Sequence, residues 1–353
     1  MQTLKNTEQY RRCLVLAGGG FRFGCYLGVH AAAVDCGRAP DLLLASCGGA
    51  IAAAVIAGLP DAQARRDWLA SPEMYAYLRG IAPVPDMSLV RVLGGAARRW
   101  LARAAAPRAA DLFRDHLFAL PPSMPLPLPL PAAAAGCPPA LAIVGGQLLY
   151  RADAVGSTRG TRRLFAQVLF CPERAAALLE GMPAPAADPR WSGGAIASDL
   201  RVECAMPLAD AVRVSIADMF YFPVHAWAGR AYTGGVIDLF PIELAQRLAR
   251  EVLMERKMPF NRWLALPALR TVFGIDGAAR LRHVHAQRAD AWFDTRDAAH
   301  ALRGSGTGKR IFWRRQRIEL AVPDKHAAYA AQVRAQWEYG YRKGMLAFGG
   351  RDA

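Results

Sequence analysis

Ala45-Ser46-Cys47-Gly48-Gly49 sets a cysteine between small residues two positions to either side. That is the spacing of a G-x-S-x-G nucleophile elbow with alanine for the first glycine and cysteine for the serine. The sharp strand-to-helix turn of an elbow crowds those flanking positions, and Ala45 and Gly49 still satisfy them. A thiol at a helix N-terminus is expected to have a lowered pKa, because the dipole favours thiolate, so Cys47 could be nucleophilic without a separate base. The competing reading of Cys47 is a small buried hydrophobe in a relic site.

Gly18-Gly19-Gly20 is the second chemical feature. Three residues without Cβ let the backbone approach a bound oxygen and point N–H donors at it, next to the start of a helix, which suits an anion or an oxyanion. Gly48, directly after the cysteine, would be a further donor. A dinucleotide loop is disfavoured: the G-x-G-x-x-G pattern requires glycine where Phe23 stands, and the second strand ends in Ala45-Ser46 rather than in a ribose-binding acid. Of the residues that could help Cys47, Asp218 and His225 supply a carboxylate and an imidazole. A Cys47–His225 pair is one hypothesis. His30 reads as packing.

These residues need strands and helices to place them. Arg12–Ala17 reads as a buried strand, 24–35 as a helix, Leu42–Ser46 as a second strand and the Ala-rich run to Leu59 as its helix, giving two βα units with parallel, right-handed geometry. Leu42–Leu59 carries no charge and just reaches the length of a membrane span, but the Ser-Cys-Gly-Gly interruption and Gly58-Leu59-Pro60 favour a strand–turn–helix. Residues 63–78 read as a helix broken near Pro72. Ser88–Arg103 reads as an amphipathic helix with Arg91, Arg98, Arg99 and Arg103 around it, lying either on the core or on anionic lipid. The Pro-Leu alternation of 121–139 excludes helix and central sheet. Strands resume at 140–150 and 163–170, a hairpin turns at Ala228-Gly229-Arg230, and a helix is expected from Pro241 to about Lys257. Another helical pattern covers 327–348.

Four passages in order resemble the patatin-like phospholipase family: LAGGGFR at 16–22, ASCGGA at 45–50, SIADMFYFPV at 215–224 and YTGGVIDLFP at 232–241. The resemblance implies an α/β three-layer sandwich with a mostly parallel sheet over residues 10–257, and lipid acyl ester hydrolysis by a Ser-Asp dyad without histidine or cofactor. It would make Gly18, Gly19 and Gly20 the oxyanion donors and Arg22 the arginine beside them. Both dyad positions are substituted: Cys47 stands for the serine, and Thr233, which cannot act as a carboxylate base although its hydroxyl could hold a thiol or a water, for the aspartate. Asp238 matches a second acidic position, with a helix-capping role expected, and Asp218 lies in the stretch that borders the family's pocket. The implied function is acyl hydrolysis or acyl transfer through Cys47; the alternative is a catalytically inactive descendant that binds lipid, acyl chains or a membrane surface. Residues 258–353 read as a basic, mainly helical extension packed on or beside that domain.

The bulk composition sets limits. With 353 residues, 53% hydrophobic and 21% charged, the chain can bury a full core and is not disordered. Lys and Arg number 44 against 29 Asp and Glu, a formal charge of +15. That favours an anionic partner such as a membrane surface. Nucleic acid is not expected, because no recognition motif or regular aromatic platform is present. The seven cysteines show no zinc spacing, so neither metal nor cofactor is expected, and their odd number suits reduced thiols. The N-terminus shows no apolar signal segment, and the expected location is the cytoplasm, peripheral to the inner face of the membrane.

Overall fold

The computed structural model describes residues 8–128 and 138–350. Strand β1 (Tyr10–Leu16) leads through the glycine loop into helix α1 (Phe23–Asp35); β2 (Leu42–Ala45) leads through Ser46 and Cys47 into α2 (Gly48–Gly58). After α3 (Leu89–Leu101) come β3 (Ala140–Leu148), β4 (Phe165–Phe170), β5 (Arg201–Glu203), α4 (Leu208–Ile216) and the hairpin β6 (His225–Trp227) and β7 (Arg230–Thr233). The chain continues with α5 (Ile242–Leu248), β8 (Ala249–Arg256), α6 (Ala265–Phe273), β9 (Ala291–Asp294), the hairpin β10 (Gly308–Phe312) and β11 (Arg317–Ala321), and the long α7 (His326–Phe348).

The central sheet has the order β9-β8-β1-β2-β3-β4-β5, with β7 also pairing on β3 and β6 on β7. The five strands from β9 to β3 are mutually parallel. Only β3–β4, β3–β7 and β6–β7 are antiparallel. The fold is therefore α/β, with a mostly parallel sheet between helical layers. Alternation along the strands sorts the core: Leu14, Leu16, Leu43 and Ala45 pack with α1, α2 and α7, while Cys13, Val15, Leu42 and Leu44 pack with α5 and α6. Both faces are covered, which is why the strands read as continuous apolar runs.

Two expectations change. The helix expected from Pro241 to Lys257 stops at Leu248, and Ala249–Arg256 forms strand β8 beside β1. Residues such as Glu251, Leu253, Met254 and Glu255 are good helix formers, and no glycine or proline marks the break. Sheet pairing overrides their propensity, with Val252 and Met254 buried on one face and Leu253 on the other. The C-terminal segment, read as an extension, contributes β9 to the sheet edge, and α7 lies along α1 so closely that a side chain at Gly28 or Gly340 would land on the partner helix's backbone. The Pro-Leu insertion falls largely on 129–137, outside the described residues; Pro121–Leu128 has no helix or strand, and Pro127 packs on Gly58.

Candidate active site

Cys47 sits at the tip of the turn between β2 and α2 with φ 49° and ψ −126°, a conformation that non-glycine residues rarely adopt. The surroundings hold this strain in place. Its N–H donates to Ser215 Oγ at 2.9 Å, and that hydroxyl donates to the Val144 carbonyl at 2.7 Å, tying the turn to α4 and β3. Ser46 Oγ donates to the Asp238 carbonyl at 3.1 Å. Gly49 packs so tightly that a Cβ there would land on the Leu16 carbonyl, which explains why this position must be small. The strand–turn–helix read from the sequence around Cys47 is present.

The partner of Cys47 is Asp218. Sγ lies 2.9 Å from Asp218 Oδ1, and the Val236 N–H donates to the same oxygen at 3.3 Å. Asp218 follows the end of α4, and Gly234 makes room for it, since a Cβ on Gly234 would collide with the carboxylate. Thr233 is not on the thiol: its buried hydroxyl donates to the Ala217 carbonyl at 3.1 Å and so anchors the segment that carries Asp218. His225 is also elsewhere. Its Nε2 is 2.8 Å from Asp210, and no hydrogen bond joins it to Cys47 among the described residues.

The electrostatics reverse one expectation. Burial pushes the Asp218 carboxyl up to about 7, partly offset by its hydrogen bonds from Cys47 and Val236. Burial, and then the Asp218 charge, push the Cys47 thiol well above its ordinary value, with Lys257 pulling weakly the other way. The helix N-terminus does not yield a resting thiolate, because Cys47 is only 4% exposed and faces a carboxylate. The pair is instead a neutral thiol beside a carboxyl whose pKa is pushed up to about 7.

The glycine loop lies against this pair. A Cβ on Gly18 would come within 2.9 Å of Cys47 Cβ and 3.2 Å of Sγ, so only glycine fits that approach. Among the described residues, the N–H groups of Gly18, Gly19 and Gly20 have no acceptor. Gly48 opens α2, so its N–H has no partner earlier in the helix. Lys257, at the end of β8, donates to the Gly18 carbonyl and, at 2.9 Å, to Tyr26 Oη. Its ammonium is paired with Glu255 at 3.3 Å, and Tyr26 Oη donates to that carboxylate at 2.9 Å. Because a trans peptide sets C=O and N–H in opposite directions, the lysine bond turns the Gly19 N–H away from Lys257. A cavity of about 280 Å³ on this side is lined by Gly18, Gly19, Arg22, Tyr26, Lys257 and Tyr339; Cys47 is not in its lining.

Asp238 has a different role from helix capping. It is buried between Gln167 Nε2 at 3.0 Å and Arg280 Nη2 at 3.1 Å, and Arg280 also reaches Glu243 at 2.6 Å. The residue that opens α5 is capped by no side chain. Asp238 braces the segment after β7 against the helix of Arg280, and its carbonyl supports the elbow through Ser46. Sequence reasoning missed Lys257, Glu255 and Ser215. Only the alignment of β8 beside β1 and of α4 beneath the elbow brings them in, and no local motif marks them.

No protein-family model matches the chain, and no curated protein sequence matches it.

Proposed function

We propose that the protein is an acyl-transfer enzyme with a cysteine nucleophile, and more particularly a lipid acyl ester hydrolase or acyltransferase of the patatin-like kind with a Cys47–Asp218 dyad. The observation that carries this reading is the 2.9 Å contact between Cys47 Sγ and Asp218 Oδ1 at the tip of a strained elbow beside open glycine N–H groups. The patatin resemblance leaves the aspartate position to Thr233; a carboxylate from a different segment, Asp218, supplies the base.

The chemistry follows from the two groups. Sγ attacks the ester carbonyl carbon as the thiol proton passes to Asp218 Oδ1, and the carbonyl oxygen takes the negative charge beside the N–H groups of the 18–20 loop and Gly48. The C–O bond to the alcohol breaks, and the protonated Asp218 gives its proton to the leaving oxygen. A water then attacks the Cys47 thioester, losing its proton to Asp218, and the sulfur leaves and is reprotonated; an alcohol in place of water gives transfer. An oxyanion donor contributes about 3 to 4 kcal/mol in such sites.

Incubation of the protein with an activated acyl ester is expected to add one acyl mass to Cys47, detected on the peptide by mass spectrometry, and Cys47→Ala is expected to abolish both adduct and turnover. Absence of both from the folded parent protein overturns the reading and leaves the lipid-binding descendant in its place.

A further inference from the structure

Helix α3 packs Leu89, Val92 and Ala96 inward and carries a second apolar stripe on its outer side. Only Leu89 and Gly95 are buried, whereas Val90, Leu93, Ala97 and Leu101 recur at helical spacing on the solvent side, Val90 at 72% and Leu101 at 68% exposure. Two other elements continue this surface. The chain before α6 exposes Met258, Trp263 and Leu264, and the Trp263 ring lies 5.4 Å from that of Trp100 on α3. The turn of the β10–β11 hairpin exposes Trp313 at 71% and meets the start of α3 where the Leu89 N–H donates to the Gln316 carbonyl at 2.7 Å. Single exposed hydrophobics are ordinary, but a contiguous set on three elements marks a binding surface.

The charge around it is mostly positive, although Asp115 pairs with Arg91 on α3 at 2.6 Å and Glu319 pairs with Arg315 and Arg317 on the hairpin. Segments 87–110, 256–275 and 298–318 contain no aspartate or glutamate, while Arg98, Arg103, Arg262, Arg310 and Arg314 stand exposed on them. The surface also touches the active-site segment: Arg99 covers the Phe220 ring at 4.0 Å and Lys309 covers the Tyr221 ring at 4.0 Å, both just beyond Asp218.

We propose that this face docks on an anionic lipid bilayer, with Trp100, Trp263 and Trp313 at headgroup depth, the α3 stripe in the acyl boundary and the arginines on the lipid phosphates. A second copy would bring the same positive charge against it, which opposes self-association through this face. Nucleic acid would use the arginines but leave the Val90–Leu101 stripe without a partner. Docking does not depend on the chemistry of Cys47. It adds to the acyl hydrolase reading the way an ester in a membrane would reach Asp218 and Cys47.

The test uses full-length Cys47→Ala protein, so that its outcome is separate from that of the acylation experiment. Sedimentation with phosphatidylcholine vesicles containing phosphatidylglycerol is expected to show binding that weakens as salt is raised, with bromolipid quenching of tryptophan fluorescence. Neutral phosphatidylcholine vesicles are expected to bind far less. Arg98→Gln, Arg103→Gln and Arg314→Gln should each lower partitioning by about fivefold. Val90→Ser with Leu101→Ser should abolish quenching while the melting temperature is retained. Equal binding to neutral vesicles, unquenched tryptophans, unaltered binding by the variants, or a stable dimer that ignores vesicles overturns the proposal. Binding only to an acidic protein and not to vesicles does so as well.

Discussion

At the scale of single residues, the candidate site sets a thiol against a carboxyl, and burial raises the pKa of both. Asp218 is a base near neutrality because burial disfavours its charge, and Cys47 stays a thiol because it is buried next to that carboxylate. The rate of acylation should therefore rise with pH through a limb near 7 as Asp218 ionises. Asp218→Asn should remove the limb and lower the rate by about 10² to 10⁴. A pre-steady-state pH profile of both proteins checks this, and an unchanged limb in the variant assigns the base elsewhere. The same shift has a stability consequence. The folded carboxyl keeps its proton to about 7 while the unfolded one loses it near 3.8, so the raised pKa favours the folded state below 3.8, and this contribution is lost as pH rises from 3.8 to about 7. Asp218→Asn should flatten that part of the stability curve in denaturant titrations.

At the scale of elements, the glycine loop is held from behind by β8. Lys257 is a positioning residue: its bond to the Gly18 carbonyl fixes the peptide plane, and an ammonium on a carbonyl strengthens the donor at the other end of the same amide. Lys257→Met should lower the acylation rate constant by about 10²-fold, comparable to loss of one oxyanion donor, with little change in KM. Lys257→Arg should recover part of it. Alkylation of Cys47 by iodoacetamide, which needs no oxyanion site, should proceed at the parent rate in both variants; a matching fall in alkylation would mean that the elbow itself had moved. Glu255, 3% exposed and bound by Tyr26 and Thr295, is what keeps the lysine in place.

At the scale of the whole molecule, the basic C-terminal segment belongs to the same core as the site. It supplies β9 at the edge of the sheet and α7 over α1, where Gly28 and Gly340 allow the two backbones to touch. Gln336 on α7 accepts from the Gly24 N–H at 3.3 Å, next to the glycine loop. Removing residues 258–350 should therefore expose one face of α1 and an edge of β8 and abolish cooperative unfolding, read by circular dichroism and calorimetry. A truncated chain with a sharp melting transition would show that residues 10–257 fold alone. Among the described residues, no helix is long and apolar enough to cross a membrane. The proposed lipid contact is one of surface, carried by α3, the chain before α6 and the β10–β11 turn.

The sequence by itself determined the parts whose signals are local. Apolar runs closed by glycine named β1, α1, β2 and α2; Ala45 and Gly49 marked the elbow; and Ala228-Gly229, both with positive φ in the structure, marked the hairpin turn. It could not determine which carboxylate would face Cys47, because Asp218 and Thr233 are equally distant from it along the chain in any practical sense. The choice depends on how α4 and β7 end against the elbow. Nor could it mark β8, whose residues favour a helix in isolation and become a strand only because β1 offers a parallel edge. Tertiary structure decided the carboxylate beside Cys47, the lysine behind the glycine loop and which apolar positions of α3 face outward. Each depends on long-range packing, and that packing also sets the burial that moves the two pKa values.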